Sequence, residues 1–184
     1  DALHAAARAG DVAMLRRLLA GGAAVDARDV HGSTALHDAS AEAAAVLLEH
    51  GAAVDAVDQV QRTTPLHLAA LRGALAVATL LLDRRASLEA KAEDGSTPLH
   101  LACLNGHADV VELLLGRSAS IDSPGAADAT PLHYAAHRGH DKVAELLPER
   151  AASIDRPSRH GTTPLHMAAA YKHFDTAALL RQRG

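Results

Sequence analysis

The sequence predicts an all-α repeat solenoid, an elongated array of helical units in which each unit contacts only its neighbours. The first observation behind this prediction is a short phrase that recurs along all 184 residues. The second is composition: 48% of the residues are hydrophobic, yet the chain has one Phe, two Tyr and no Trp. The core must therefore be built from Leu, Ala and Val, which suit thin helices stacked in close layers.

The repeated phrase reads TPLH in its complete form. Its histidines are His4, His37, His67, His100, His133 and His166. The step is thirty residues from His37 to His67 and thirty-three residues between the other neighbours. We therefore predict one repeat domain over residues 1–184, with six repeats at about 1–33, 34–63, 64–96, 97–129, 130–162 and 163–184.

The fourth repeat shows how the phrase begins a helix. Thr97 can cap the free amides of a first turn, and Pro98 suits the first helical position, where its missing N–H costs nothing. Leu99 begins an apolar helical face, and Gly106 favours the left-handed conformation that ends a helix. A first helix is therefore predicted between Thr97 and Gly106.

A second helix is predicted from about 108 to 115 in the same repeat. Its packing face is Val110, Val111, Leu114 and Leu115. A polar, turn-rich run follows, and we predict that it forms an outstretched hairpin leading to the next phrase.

The second repeat is irregular. His37 precedes the pair Leu47–Leu48 by ten residues, whereas His67 precedes Leu81–Leu82 by fourteen, so about one helical turn is missing. The hairpin at 58–63 is one residue longer than the others and contains no glycine. We predict a distorted and locally weak second repeat.

Glycine is replaced after the second helix in three repeats. Gly22 and Gly51 occupy this position early in the chain, and Arg85, Ser118 and Ala151 occupy it later. If these residues keep the left-handed conformation, each costs roughly 1 kcal/mol relative to glycine.

A proline interrupts the second helix of repeat five. Pro148 replaces the second leucine of the usual pair. Since a proline inside a helix costs about 3 kcal/mol, we expect that helix to stop by Leu147.

A thirty-three-residue period that carries T-P-L-H-x-A resembles the ankyrin repeat family, and the resemblance covers all 184 residues. The resemblance implies an ankyrin array of stacked antiparallel helix pairs with projecting β-hairpin loops. It also implies a structural role for the phrase histidines, which would bond to neighbouring backbone and to the phrase threonine.

The thirteen histidines do not indicate a metal site. Equivalent histidines lie on helices about 8–10 Å apart, whereas zinc–nitrogen bonds are about 2 Å long. His133 and His137 have helical spacing, but no glutamate follows His133 to complete an H-E-x-x-H motif. We expect no metal and no cofactor.

No pattern indicates an enzyme. Cys103 stands where the resemblance expects alanine, which favours a small buried residue over a nucleophile. Acidic residues recur at one hairpin position, and their pattern favours turn formation and solvation over acid–base catalysis. These residues are Asp26, Asp55, Glu89, Asp122 and Asp155.

Charge and hydropathy exclude further classes of function. The net charge is −4 with both signs interspersed, so no basic field attracts nucleic acid. No apolar run approaches the roughly 20 residues that span a bilayer, so we expect no membrane insertion. We expect an intracellular protein, cytoplasmic or nuclear, that is monomeric and binds another protein. Because the chain opens inside a repeat without Met, we also expect a piece of a longer protein.

In ankyrin proteins partners most often lie in a concave groove between the hairpin tips and the first helices. The resemblance places there the residues just before the first glycine turn: Leu71, Arg72, Leu104, Asn105, His137, Arg138, Ala170 and Tyr171. We expect Leu71 and Leu104 to form an exposed apolar line, although leucine there can also simply cover the helix turn. The hairpin tips would add a mixed-charge wall of Val60, Arg62, Glu93, Asp94, Arg159 and His160. Tyr134 is expected to be half-buried and therefore not to be one of the groove residues.

The function predicted is a non-catalytic protein–protein interaction module. Its partner would be a protein segment with an apolar anchor and some acidic character, to meet Arg72 and Arg138. One alternative is a regulatory or targeting segment of a larger enzyme, ubiquitin-ligase adaptor or channel. Another is a designed repeat protein, which the irregular second repeat and Pro148 disfavour.

Overall fold

Residues 2–184 are described by a computed structural model, and Asp1, the first residue of the first phrase, lies outside them. The α-helices in this part of the chain are α1 (Ala2–Ala9), α2 (Val12–Ala20), α3 (Ala41–Glu49), α4 (Pro65–Arg72), α5 (Leu75–Asp83), α6 (Pro98–Leu104), α7 (Ala108–Gly116), α8 (Pro131–Arg138), α9 (Asp141–Glu149), α10 (Pro164–Ala170) and α11 (Phe174–Arg183). Two short 3₁₀ segments, η1 (Ala35–Asp38) and η2 (Ala126–Asp128), complete the regular elements of residues 2–184.

The helices form two compact units. The first contains residues up to 69 and 74–87, and the second contains 70–73 and 88–184. In the first unit α1 packs against η1 and α2, and α3 packs against α2 and α5. In the second unit α8 packs between α6 and α10, while α9 packs between α7 and α11. Successive helix pairs therefore stack on one another within each unit, and the predicted all-α repeat class is confirmed.

The phrase begins the first helix as predicted and also ties it to the next repeat. In repeat four Nδ1 of His100 accepts the backbone N–H of Thr97 at 3.1 Å. Nδ1 is therefore unprotonated, so Nε2 carries the proton and donates to the carbonyl oxygen of Ala129 at 3.1 Å. His133 does the same with Thr162, at 2.8 Å. The structural role expected of these histidines is confirmed.

In the first five repeats the core contains one leucine from the phrase and one from the second helix, whereas in the sixth Leu180 is almost fully buried and the phrase leucine, Leu165, is half-buried. In repeat four the two leucines are Leu99 and Leu114, which are almost fully buried together with Val110 and Val111. Leu115, predicted for the same packing face, is only half-buried because it lies at the edge of the helix face.

The three non-glycine residues after the second helices have the predicted left-handed conformation. Their φ angles are 66° at Arg85, 72° at Ser118 and 69° at Ala151. Each helix thus ends in the same way as at Gly22 and Gly51, with φ of 89° and 83°. The side chains in these places retain the steric cost of that conformation, about 1 kcal/mol or more each.

The second repeat has lost a turn of its first helix, which confirms the predicted distortion. The four-residue η1 stands where the other repeats have an α-helix of seven or eight residues. Ala39 is extended, and Ser40 then caps α3 by accepting the N–H of Ala43 at 3.2 Å.

The long loop of the second repeat is held by a capping carboxylate, as the first repeat's loop is held by Asp29, but it has no glycine. Asp58 accepts the backbone N–H groups of Val60 and Gln61 at 2.8 Å and that of Thr63 at 2.9 Å. Arg62 has φ of 54°, in a loop region where the next repeat uses a glycine.

The loops between repeats are tighter than the predicted β-hairpins. Asp29 donates its N–H to the Ser33 carbonyl at 2.9 Å, and Ala92 and Ser158 make equivalent bonds. Within residues 2–184 the only β-pairing is an isolated bridge between Arg28 and Thr34. One closing bond per loop is too few to form a regular strand pair.

The prediction for Pro148 is wrong. Helix α9 continues through it to Glu149 instead of stopping by Leu147. Pro148 lies in the last turn, and Arg150 still donates its N–H to Leu146 and Leu147 at 3.2 and 3.0 Å. Burial of Leu146 and Leu147 therefore holds the end of the helix despite the missing N–H.

The α-helices of residues 2–184 contain at most ten residues each. None of them has the length and apolar character that a bilayer-spanning helix requires.

Candidate functional site

Four first helices end at the predicted row of groove residues, and all four ends lie in the second unit. The last residues of α4 carry Leu71 and Arg72, and α6, α8 and α10 end at the three equivalent pairs. Each pair precedes a left-handed residue, which is Gly106 after α6 and Lys172 after α10, with φ of 73° and 63°. The predicted row of helix ends therefore lies in one unit.

Histidines at the start of the second helices hold this row in register. Nε2 of His107 lies 3.1 Å from the carbonyl oxygen of Leu71, and Nε2 of His140 lies 2.9 Å from that of Leu104. His173 makes the equivalent bond to the carbonyl of His137, at 3.1 Å. A carbonyl only accepts, so each Nε2 is protonated and each helix end is bonded to the following repeat.

The expected exposed line of leucines is not formed. Leu71 and Leu104 are half-buried, because the following repeat packs against these helix ends. Asn105, for example, donates its side-chain amide to the carbonyl of Leu71 at 2.7 Å. The second members of the row, among them Arg138 and Tyr171, are exposed as expected.

A small apolar cavity opens beside Leu104. Its volume is about 240 Å³, and its lining residues are Leu104, Ala126, Ala129, His133, Tyr134, His137 and Met167. Sequence reasoning missed two of its walls, Tyr134 and Met167. Both follow a phrase histidine directly, where the third and fourth repeats have Leu68 and Leu101, and an aromatic at that position was the available signal.

Tyr134 connects this cavity to two loops. Its hydroxyl lies 2.7 Å from Oγ of Ser96 and accepts the N–H of Ala126 at 3.3 Å. Its ring meets the ring of His100 edge to face, with 4.9 Å between centroids. The tyrosine is half-buried as expected, and it forms a fixed wall of the cavity.

The loop at the lip of the cavity is strained. Ala127 and Asp128 are consecutive left-handed residues, with φ of 52° and 60°. Arg159 holds both, since its N–H donates to the Ala127 carbonyl at 2.8 Å and its Nε to the Asp128 carboxylate at 3.1 Å. At Gly125 a Cβ would lie 2.8 Å from Nε2 of His100, so only glycine lets the loop approach this closely.

A second concavity surrounds Arg138. Its volume is about 390 Å³, and its lining residues are Leu104, Asn105, His107, Arg138 and His140. Leu104 lines both concavities, so the two adjoin at this residue. Arg138 is exposed and forms no ion pair within residues 2–184.

His137 lies between the apolar cavity and Tyr171. The two rings meet edge to face with centroids 4.2 Å apart. Burial lowers the pKa of His137, and the charges of Arg138 and His173 lower it further. The imidazole is therefore neutral at pH 7, and the positive charge at this place comes from Arg138.

The predicted wall of hairpin tips is divided between the two units. Glu93, Asp94, Arg159 and His160 belong to the second unit, where Asp94 accepts the N–H of Ser96 at 2.8 Å. Val60 and Arg62 belong to the first unit, where Val60 is 58% exposed.

Cys103 and His133, the remaining residues that could take part in catalysis or metal binding, have no accessible reactive group. Cys103 is fully buried, and burial raises the pKa of its thiol. Both ring nitrogens of His133 are used, by the Thr130 N–H at 3.0 Å and the Thr162 carbonyl. Throughout residues 2–184, no three His, Cys, Asp or Glu side chains form a group that could hold a metal ion.

The recurring acidic residues were expected to form turns and face solvent, and this interpretation is incomplete. Each of four binds a backbone N–H one repeat later: Asp26 with Ala53, Asp55 with Ser87, Glu89 with Ser120, and Asp122 with Ser153, at 2.7–3.1 Å. They contact the following repeat because their position lies on the stacking side of the loop.

Comparison with known proteins agrees with this architecture. The ankyrin repeat profile, in three copies, matches residues 1–58, 41–125 and 123–184. This chain is similar to the crystal structure of the human ASB11 ankyrin repeat domain, with a TM-score of 0.90 and 32% sequence identity. The match covers 100% of this chain and 84% of the ASB11 chain. A search of curated protein sequences found no match. Profile matches that together span the whole sequence show that the chain belongs to the ankyrin repeat family.

Proposed function

We propose that this protein is a non-catalytic interaction module that binds a segment of a partner protein in the groove of the second unit. The groove is defined by the exposed helix ends at Arg138 and Tyr171 and by the apolar cavity between Leu104, Tyr134 and Met167. Ankyrin repeats are generally protein–protein interaction modules, and this chain belongs to that family.

The observation that carries the proposal is the apolar cavity beside an arginine without an ion pair in the described chain. An apolar pocket with a few polar groups at its edge is the usual form of a binding site. Tyr and Arg, present here as Tyr134, Tyr171 and Arg138, are the side chains that most often dominate the energy of an interface.

Preorganisation supports the same conclusion. The carbonyl oxygens of Leu104 and His137 are already bonded to the next repeat, and Tyr134 is bonded to two loops. A partner would therefore meet a surface that is ordered before binding, which lowers the entropic cost of association.

The test is a pull-down with the whole chain as bait, read by mass spectrometry. The variant Arg138→Glu with Tyr171→Ala changes two exposed groove residues and leaves the core intact. Arg150→Glu makes the same charge reversal after helix α9, at an exposed residue of the same repeat. We expect a protein that is captured by the wild type and by Arg150→Glu to be lost with the double variant. Equal capture by all three baits would contradict a role for this groove.

A further inference from the structure

The apolar cavity of the groove has the size of one side chain. At about 240 Å³ it can hold one aliphatic or aromatic group between Tyr134 and Met167. Its lip includes the consecutive left-handed residues Ala127 and Asp128, a conformation that side chains rarely adopt. Arg159 holds this strained loop against the cavity, so the cavity is a built feature with a fixed shape.

The neighbouring concavity is suited to a carboxylate. Arg138 lines it, is exposed and forms no ion pair in the described chain. None of the residues that line either concavity is acidic. Asp128, in the loop beside the apolar cavity, is already paired with Arg159, and no carboxylate of the described residues pairs with Arg138. The charge that Arg138 presents is therefore not neutralised by the protein itself.

The two concavities share Leu104, so one partner segment can fill both at once. The row of helix ends continues on either side, to Arg72 and to Tyr171, and both of these residues are exposed. Exposed residues therefore flank the two concavities on both sides, which fits the interior of a segment and a side-chain carboxylate better than a chain terminus.

We infer that the groove selects a protein segment in which an apolar side chain enters the Leu104–Tyr134–Met167 cavity and a nearby Asp or Glu side chain pairs with Arg138. This inference rests on the proposed function and adds the chemistry of the partner. The apolar contact supplies the buried anchor, and the bidentate arginine–carboxylate pair sets the register of the segment.

The inference can be tested without a known partner. The probe is a displayed library of random twelve-residue peptides, selected on the immobilised whole chain. We expect enriched peptides to share an apolar residue with Asp or Glu within about two positions, since the two concavities adjoin at Leu104. The strongest peptide should bind Arg138→Glu at least tenfold more weakly and Arg150→Glu unchanged.

A charge exchange makes the test specific. A new selection on Arg138→Glu should keep the apolar residue and replace the acidic residue with Lys or Arg. Met167→Asp should abolish binding of both classes of peptide, because it places a charge in the apolar cavity. Circular dichroism and a melting curve for each variant establish that it is folded.

The outcomes separate this inference from the proposed function. Selected peptides could lose binding to Met167→Asp and yet show no preference for acidic residues, or bind Arg138→Glu as well as the wild type. Either result would overturn the inference about the carboxylate and would leave the groove as a binding site. Binding that is insensitive to both substitutions, or the absence of any enriched peptide, would overturn both.

Discussion

The imidazole of His140 lies directly over Gly106, the residue that ends the first helix of the preceding repeat. Its Nε2 bonds to the Leu104 carbonyl at 2.9 Å, and its Nδ1 would lie only 2.5 Å from a Cβ built on Gly106. Gly106 also has φ of 73°, so both its backbone conformation and the close approach of the ring favour glycine here. Gly106 thus ends the first helix of its own repeat and leaves space for the His140 ring of the next repeat.

Substitution at Gly106 should therefore cost more than substitution at an ordinary left-handed glycine. Gly51 is the matched control, because its φ is 83° and no atom lies within 4 Å of its Cβ position. We expect Gly51→Ala to lower the free energy of unfolding by about 1–2 kcal/mol. Gly106→Ala should cost roughly 1–3 kcal/mol more, since the His140 ring must move. Equal losses in urea denaturation would show that the ring contact is not important.

Arg85→Gly should stabilise the protein. Arg85 has φ of 66°, which glycine adopts without the steric cost that a side chain incurs. We expect a gain of up to about 1 kcal/mol, seen as a higher melting temperature. Arg84→Gly is the control, because φ at Arg84 is −94° and glycine there can only add flexibility to the unfolded chain. A melting temperature for Arg85→Gly that is no higher than that of the wild type would contradict the prediction.

Asp122→Ala should weaken the contact between two repeats. The Asp122 carboxylate accepts the N–H of Ser153 at 3.1 Å and its hydroxyl at 2.5 Å. Because both bonds are exposed, we expect a loss of about 1 kcal/mol in urea denaturation. Asp155 has the equivalent position in the fifth repeat, is exposed and makes no hydrogen bond within residues 2–184, so Asp155→Ala should be nearly neutral. The same loss at both positions would exclude an inter-repeat role.

The fold should lose stability as the pH falls below neutrality. Burial lowers the pKa of His100 from 6.5 to about 4. Between these values the unfolded chain binds a proton that the folded chain does not, so the free energy of unfolding decreases by about 3 kcal/mol across this window. Burial also lowers the pKa of His37 and of His133, in the same direction.

Urea denaturation between pH 4.5 and 7.5 measures this effect. His100→Gln should be less stable than the wild type at pH 7.5, but its stability should decline less steeply with falling pH. His160→Gln, at an exposed loop residue, should follow the wild type. Parallel pH profiles for His100→Gln and the wild type would rule out His100 as a source of the acid sensitivity.

The second repeat should be locally weak. Its η1 contains four residues, whereas α6 of repeat four contains seven. With fewer backbone bonds to break, the amides of 35–40 should exchange with deuterium faster than those of 99–104 in native-state hydrogen exchange. Equal protection of the two segments would mean that packing compensates fully for the missing turn.

Features that depend on nearby residues were predictable from the sequence. Thr97 and His100 lie within one helical turn, so the phrase itself contains the information for the helix start. The left-handed positions at Arg85 and Ser118 followed from alignment with glycines in other repeats. The missing turn of the second repeat followed from counting residues.

Features that depend on distant residues were not predictable in the same way. The local cost of Pro148 predicted an early end to α9, but the buried pair Leu146 and Leu147 outweighs it. The loop beside the cavity at Tyr134 contains two consecutive left-handed residues, a conformation that nothing in the sequence of that loop indicates. The leucines of the groove were expected to be exposed because burial by the following repeat is not visible from one helix alone.

Ser40, in the shortened second repeat, faces Gly10 of the first repeat. It occupies the place that His140 has over Gly106 further along the chain. Its Oγ would lie 3.0 Å from a Cβ on Gly10, and its N–H donates to the Ala7 carbonyl at 3.1 Å. The joint between these repeats is therefore made at the start of a second helix and does not depend on the length of the first. A first helix can therefore lose a whole turn while the contact between the two repeats is kept. We expect that repeats of unequal length can be exchanged between ankyrin proteins if the residue that faces the glycine is retained.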